Sequence, residues 1–247
     1  MQRARLAETG RIFDVTVAWF LMGRDDPADA AAAQDWAISK LVPVVISLPG
    51  LQSADFFTPE SASDPYLVDG TGPVFMLQTD FADAPSALSA LATPALINCL
   101  TGNDGKPAGL GFGHDLLETL AFPVREDSEP KPRKATLSYV VRYHRPAENE
   151  AEFIQHYIDH HPPILGEFPD IRNVFCYVPL TWDDPLGLPR EDLMLGNEVV
   201  FDSLDALNAS LASEVRHKLR EDYNTFPPFT GRNTHHAMTR RRLYPGV

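Results

Sequence analysis

Two adjacent histidine pairs carry the clearest chemical signal in this chain of 247 residues. The first, His160-His161, lies in Tyr157-Ile-Asp-His-His-Pro-Pro-Ile164, at the C-terminal end of a predicted amphipathic helix. The second, His235-His236, lies in the last predicted strand. Imidazole exchanges protons near neutral pH, and a carboxylate beside it orients or charges it. Glu198, set among apolar residues on a predicted strand, is the candidate carboxylate. This composition points to proton-transfer chemistry. His161 is expected to be the main acid/base, with His236 and Glu198 orienting it and Tyr157 holding a substrate oxygen. His160, His235, Tyr139 and Arg142 are expected to bind substrate. No metal is expected, because neither pair has i, i+4 helical spacing and no acidic ligand motif accompanies them. Cys99 and Cys176 are too few for a disulfide framework or a thiolate cage, and a strand cysteine such as Cys176 reads as packing.

Composition narrows the partners. The formal charge of −13 argues against nucleic acid or an anionic membrane, since both reward basic patches. The run Arg240-Arg-Arg242 reads as a solvated strand end. The start of the chain has no apolar run behind its basic residues, and no stretch approaches the ~20 apolar residues of a membrane span. The expectation is a soluble, cytoplasmic protein acting on a small molecule. Association into a homodimer is left open.

The elements that must position these residues follow from periodicity. Phe13 to Met22 alternates as a buried strand. Asp25-Asp-Pro27 caps an alanine-rich helix that Pro49-Gly50 stops. Strands follow near 52–58 and 73–80, a short helix near 85–92, a glycine-rich loop to Gly113, and a strand from His114. Residues 125–134 carry charge and two prolines and read as an extended linker. The same order then returns: a strand at 136–144, a helix at 147–161, strands at 172–178 and 194–201, two helices, and a last strand from Asn233. Each pass reads β-α-β-β-α-β, the ferredoxin-like pattern.

A single offset of 120 residues lays one pass on the other, joining Pro43 to Pro163, Pro49 to Pro169, Pro59 to Pro179 and Gly111 to Gly231. Prolines and a glycine in register imply an internal duplication, because each fixes an unusual backbone position. One such unit leaves a sheet face bare, and two units bury it by packing sheet to sheet. The expected fold is therefore α+β: two ferredoxin-like repeats forming an intramolecular barrel. Residues 1–125 form the first repeat, 126–134 the linker and 135–247 the second. The two passes differ where the chemistry lies. Leu41 becomes His161, Gln78 becomes Glu198, and Asp115-Leu116 becomes His235-His236. Pro162 and Pro163 should kink or end the helix at His160–His161.

The second pass resembles the EthD family of the dimeric α+β barrel superfamily. The matching stretches are TLSYVVRYHRP (136–146), EFIQHYIDHHPPILGEFPDI (152–171) and NEVVFDSLDAL (197–207), with Asp170 where the family has glycine. The resemblance implies a candidate site in the second repeat and a degenerate first one. It also implies a cofactor-free lyase, isomerase or cyclase acting on an oxygenated, often aromatic compound. Heme binding, as in chlorite dismutases, is the alternative it carries, and a non-catalytic small-molecule binder is another.

Overall fold

The computed structural model describes residues 13–67, 69, 70, 72–124 and 132–245. Its eight strands are β1 (Phe13–Arg24), β2 (Leu51–Glu60), β3 (Phe75–Phe81), β4 (Gly111–Phe122), β5 (Leu137–His144), β6 (Asn173–Pro179), β7 (Leu193–Phe201) and β8 (Asn233–Tyr244). They close into one antiparallel barrel in the order β1-β3-β2-β8-β5-β7-β6-β4. The first four strands thus run 4-1-3-2 around the wall, and the last four run in the same relative order. Where the halves meet, β2 pairs with β8 and β4 with β6. Closure leaves no sheet edge unpaired.

Period-2 alternation sorts every strand between two environments. On β1, Val17, Trp19 and Leu21 join the helix-covered core, while Ala18, Phe20 and Met22 face the barrel lumen. On β5, Tyr139, Val141 and Tyr143 face the helices, while Val140 faces the lumen. The lumen is polar at one end. Asp55 receives Arg240 Nη1 (2.8 Å), Arg242 Nε (2.8 Å) and Arg133 Nη1 (3.3 Å). Arg240 is therefore a buried ion-pair member, not the solvated strand end its sequence suggests. Arg133 departs from the linker reading in the same way. Its guanidinium lies 4.4 Å from the Phe175 ring centre and plugs the barrel. The rest of the linker, 125–131, falls outside the described residues, as does the chain start, 1–12.

The helices cover the outside. They are α1 (Ala30–Trp36), a π turn (Ala37–Leu41), α2 (Val42–Val45), α3 (Ala84–Leu91), α4 (Pro94–Thr101), α5 (Glu150–Leu165), α6 (Leu204–Leu211) and α7 (Glu214–Tyr223). Local chemistry starts three of them. Asp83, Asn149 and Ser203 accept from the backbone N–H three residues on, at 2.9, 3.2 and 3.2 Å. Contrary to the expected break, α5 continues through Pro162 and Pro163 for a further turn and closes with Gly166 N–H donating to the Pro162 carbonyl (2.9 Å). The prolines cost two backbone bonds, but their fixed φ suits a helix. Tyr157, His161 and Leu165, one turn apart, keep that face buried. At the matching place in the first half the chain widens into the π turn just before Pro43. The Asp170 departure also has a geometry: it holds φ 56°, and Gly50, 120 residues earlier, holds φ 72°. Both positions ask for the left-handed region, where aspartate is among the better-tolerated non-glycine residues.

Candidate active site

His161 is buried between α5, α7 and the sheet. Its Nδ1–H donates to Asp222 Oδ2 at 2.7 Å. A carboxylate only accepts, so the Nδ1 proton is fixed and Nε2 is the basic nitrogen of the neutral ring. Nε2 makes no hydrogen bond to the described residues. Burial holds His161 below the ordinary imidazole value against the opposing pull of Asp222, which keeps the ring neutral and Nε2 unprotonated at pH 7. The ring packs at 4.7 Å from Tyr157 and 5.3 Å from Phe226, in an aromatic cluster that includes Tyr143, Phe153 and Phe229. Such packing fixes the ring plane and excludes water.

His161 forms part of the wall of a cavity of about 50 Å³, together with Tyr139, Asn197, Arg216, Arg220 and His235. This space holds one or two waters. It adjoins an open groove of about 780 Å³ that shares Leu67, Tyr139 and His235 with it. The groove is the size of an ordinary small-molecule site. Its far side is the β2–β3 segment of the first half, which crosses onto the second. Asp64 there accepts from Arg216 Nε and Nη2 (both 3.0 Å) and from the Tyr139 hydroxyl (3.1 Å). Asp69 accepts from the backbone and ring nitrogens of His235 (both 2.8 Å), and the His235 contact lowers its carboxyl value. Burial, with Asp64 beside it, pushes the Tyr139 hydroxyl well up, so it remains a donor. Arg220 lies 5.1 Å from the Tyr223 ring centre and forms no ion pair with the described residues.

The expected site residues separate into two groups. His161, Tyr157, Tyr139 and His235 gather on the helix side of the sheet. Tyr157 lies behind the cavity wall: its hydroxyl accepts from Asn197 Nδ2, so Asn197, with an unpartnered buried Oδ1, is the amide presented to the cavity. Glu198 does not orient His161. Strand alternation turns it into the lumen, where it accepts from Ser138 (2.5 Å) and Tyr177 (2.5 Å) and pairs with Arg133 (3.4 Å). Burial alone would raise its value, but these partners more than reverse that and hold it ionised. His236 and Arg142 also face the lumen. His160 is exposed and donates to the His156 carbonyl (2.8 Å), away from the cavity.

The His236 displacement has a register cause. Phe20 pairs with Asp115 and Val140 with His236, so the structural counterpart of His236 is Asp115, and Leu116 corresponds to Ala237. The last strands differ by one residue from the 120-residue offset, and one residue reverses the face. Residues missed from sequence were nonetheless within reach of that comparison. Asn197, Arg216, Arg220 and Asp222 stand where the first half has Leu77, Leu96, Leu100 and Gly102. The corresponding hollow of the first half is filled by buried Leu41, Leu77, Leu96 and Leu100. A different polar relay lies there: Trp19 Nε1–H donates to His114 Nδ1 (3.1 Å), and His114 Nε2–H donates to Asp184 (3.0 Å). Asp184 comes from the β6–β7 segment of the second half, so the crossing is reciprocal.

Among the described residues no group of three His, Cys, Asp or Glu side chains could hold a metal. The His161–Asp222 pair has the form of a heme axial ligand with its supporting carboxylate. The space beside it does not fit a macrocycle: about 50 Å³ is open, and the aromatic cluster occupies the rest. Cys176 is buried with its thiol value pushed up by burial, which makes it inert. No described helix is long and apolar enough to cross a membrane.

No family model and no curated protein matches the sequence. Solved structures do match in shape. An anthrone oxidase-like protein superposes with a TM-score of 0.60 at 12% identity, over 95% of this chain and 96% of its own. A protein provisionally described as a monooxygenase from Lactobacillus acidophilus NCFM gives 0.52 at 7% identity, over 92% and 94%. A similar one from Fusobacterium nucleatum gives 0.51 at 10% identity, over 94% of both. The chain has the dimeric α+β barrel fold. At these identities the likeness is one of architecture, and the chemistry has to be read from the residues of this site.

Proposed function

We propose that this protein is a cofactor-independent acid/base enzyme acting on a small, oxygenated aromatic compound. The observation that carries this is the buried His161–Asp222 pair at the cavity wall, where the first half has leucine and glycine. In this reading the substrate body occupies the groove and its reacting end enters the cavity past Tyr139 and His235. Nε2 of His161 takes a proton from carbon or oxygen, and Asp222 stabilises the imidazolium that forms. Negative charge developing on the substrate oxygen is met by the Arg220 guanidinium. The same base returns the proton elsewhere, which gives an isomerase, lyase or cyclase outcome. The architectural likeness to an anthrone oxidase-like protein supports an aromatic ketone with an acidic C–H as the first substrate class to try. The matched strand order and the shared left-handed position at Gly50 and Asp170 support reading each half as a ferredoxin-like unit.

The test is solvent exchange. Hydroxylated aromatic ketones incubated in D₂O with the protein should exchange their acidic C–H faster than without it, followed by proton NMR. His161→Ala should lower that rate by ~10²–10⁴-fold, and Asp222→Asn by less. Exchange at the wild-type rate in His161→Ala would overturn the assignment, as would the absence of any acceleration by the wild-type protein.

A further inference from the structure

The lumen face of β5 borders a second cavity, of about 150 Å³, on the opposite side of the sheet from His161. Arg142 is its main polar wall. The side chain is buried, and its guanidinium stacks 4.7 Å from Phe20 and 5.4 Å from Tyr177. Nη1 donates to the carbonyls of Val141 (3.0 Å) and Asn197 (3.4 Å), Nη2 meets only the Met76 sulfur (3.8 Å), and Nε has no partner. No carboxylate among the described residues forms an ion pair with it. A buried guanidinium without a counter-charge is costly, so something is expected to neutralise it.

The nearby charges are engaged elsewhere. Glu198, the carboxylate whose field acts most on Arg142, pairs with Arg133 (3.4 Å). Arg24 at the rim is committed to Glu191 (2.7 Å), Asp69 to His235 (2.8 Å), and His144 Nδ1 to the Glu191 carbonyl (2.9 Å). Asp115 is the acid that shares this end of the lumen. Burial, then the proximity of Glu191, pushes it up to about 7, which leaves it half neutral at physiological pH. Arg232 at the rim adds positive charge. Next to Arg142, His236 Nδ1 is also buried without a partner. Burial lowers His236 to about 4, so it offers a neutral N–H. Gly196 leaves room for the guanidinium, since a Cβ there would lie 2.9 Å from Nη1. The remaining wall is apolar and adaptable: Met22, Met76, Val140 and Met238, three of the five methionines in the chain.

We infer that the barrel lumen binds a small aliphatic carboxylate, its oxygens on Arg142 and His236 and its hydrocarbon end among Met22, Met76 and Met238. Strand alternation puts Arg142 and the His161 cavity on opposite faces of β5, so the carboxylate site is distinct from that cavity, although Asp69 and His236 also border the groove beyond it. A guanidinium with free edges suits a planar carboxylate, and the methionines suit a short tail. The volume admits a chain of a few carbons.

Methionine methyl NMR on the full chain, labelled with ¹³C-methyl methionine, tests this with butyrate as the probe. Butyrate should shift the Met22, Met76 and Met238 signals saturably and leave Met194, on the helix side, in place. Butyramide should bind about tenfold more weakly or worse, since it lacks the charge. Arg142→Gln should weaken butyrate to a similar degree. Val140→Phe, which fills the cavity without removing a charge, should abolish the shifts and covers the case that Arg142→Gln does not fold. His161→Ala should leave the titration unchanged, which keeps this site distinguishable from the acid/base one. Absence of the three shifts, equal shifts with butyramide, or shifts that survive Arg142→Gln or Val140→Phe would each overturn the inference.

Discussion

His161 shows how one side chain changes role when its surroundings change around it. The position is Leu41 in the first half, fully buried in an apolar layer. Placing imidazole there would cost a few kcal/mol without a partner. Asp222, standing where the first half has Gly102, supplies that partner. The pair was half legible in the sequence. The Leu41-to-His161 change sits on a helix whose offset of 120 residues holds, and it was read correctly as a buried histidine. Its acceptor lies 61 residues further on, in α7, and only the packing of α7 against α5 brings the two together. The change from Gln78 to Glu198 drew attention to Glu198, while the neighbouring change, Leu77 to Asn197, carries the polar group that lines the cavity. A strand shows two faces, and residue type does not say which face is which. Asp115 gives a prediction at this scale. Its folded value of about 7 lies above its ordinary 3.8, so its contribution to stability is complete below about pH 4 and is lost as pH rises through 7. Asp115→Asn stays neutral throughout. It should therefore gain on the wild type by up to about 4 kcal/mol between pH 4 and pH 8, measured by urea unfolding across that range. A constant difference between the two would rule this out.

At the scale of elements, the strands and helices were mostly visible from periodicity, and the crossing segments were not. Residues 61–70 read only as a polar loop, yet they deliver Asp64 and Asp69 to the groove. Nothing in local sequence says that a loop from one half lands on the other. That is fixed by barrel closure, which places β2 beside β8. The Asp64–Arg216 contact is bidentate and largely buried, with side-chain exposures of 4% and 11%. Asp64→Ala would strand the Arg216 guanidinium and release the Tyr139 hydroxyl. The expected cost is about 3 kcal/mol. Faster amide hydrogen exchange should appear in 59–67, with little change in the first-half helices. An unchanged exchange pattern would show that the segment is held by its apolar contacts instead. The α5 result belongs to this scale too. Proline rules predicted a break, and the buried face of Tyr157, His161 and Leu165 overrode them. The one-residue shift in the last strands escapes the offset of 120: Gly111 and Gly231 match at the start, and only the cross-strand pairing shows that Asp115 stands opposite Phe20 as His236 stands opposite Val140.

For the whole molecule, the barrel expected from two repeats is present as a single closed wall, and each half supplies four of its strands. Neither half closes alone. Cutting the chain to residues 132–247 would uncover the β6 and β8 edges and the lumen side chains Phe175, Tyr177 and Met238. Two copies of that fragment could restore the wall. Asp184, which holds His114 in the full chain, would meet His235, the structural counterpart of His114, in the other copy. The fragment should therefore run as a dimer, or aggregate, in size-exclusion chromatography with light scattering. A folded monomer would contradict the account of closure.

The reciprocal crossing also bears on how such a chain changes over generations. Because Asp64 and Asp69 complete a groove whose base lies in the other half, changes in the leucine-filled half can reach the groove without touching His161. The helices of that half pack with leucine where the second half has polar groups, so substitutions there should leave the groove unchanged. The stretch between β2 and β3 borders it, and variation in ligand preference among descendants should concentrate there rather than beside the imidazole.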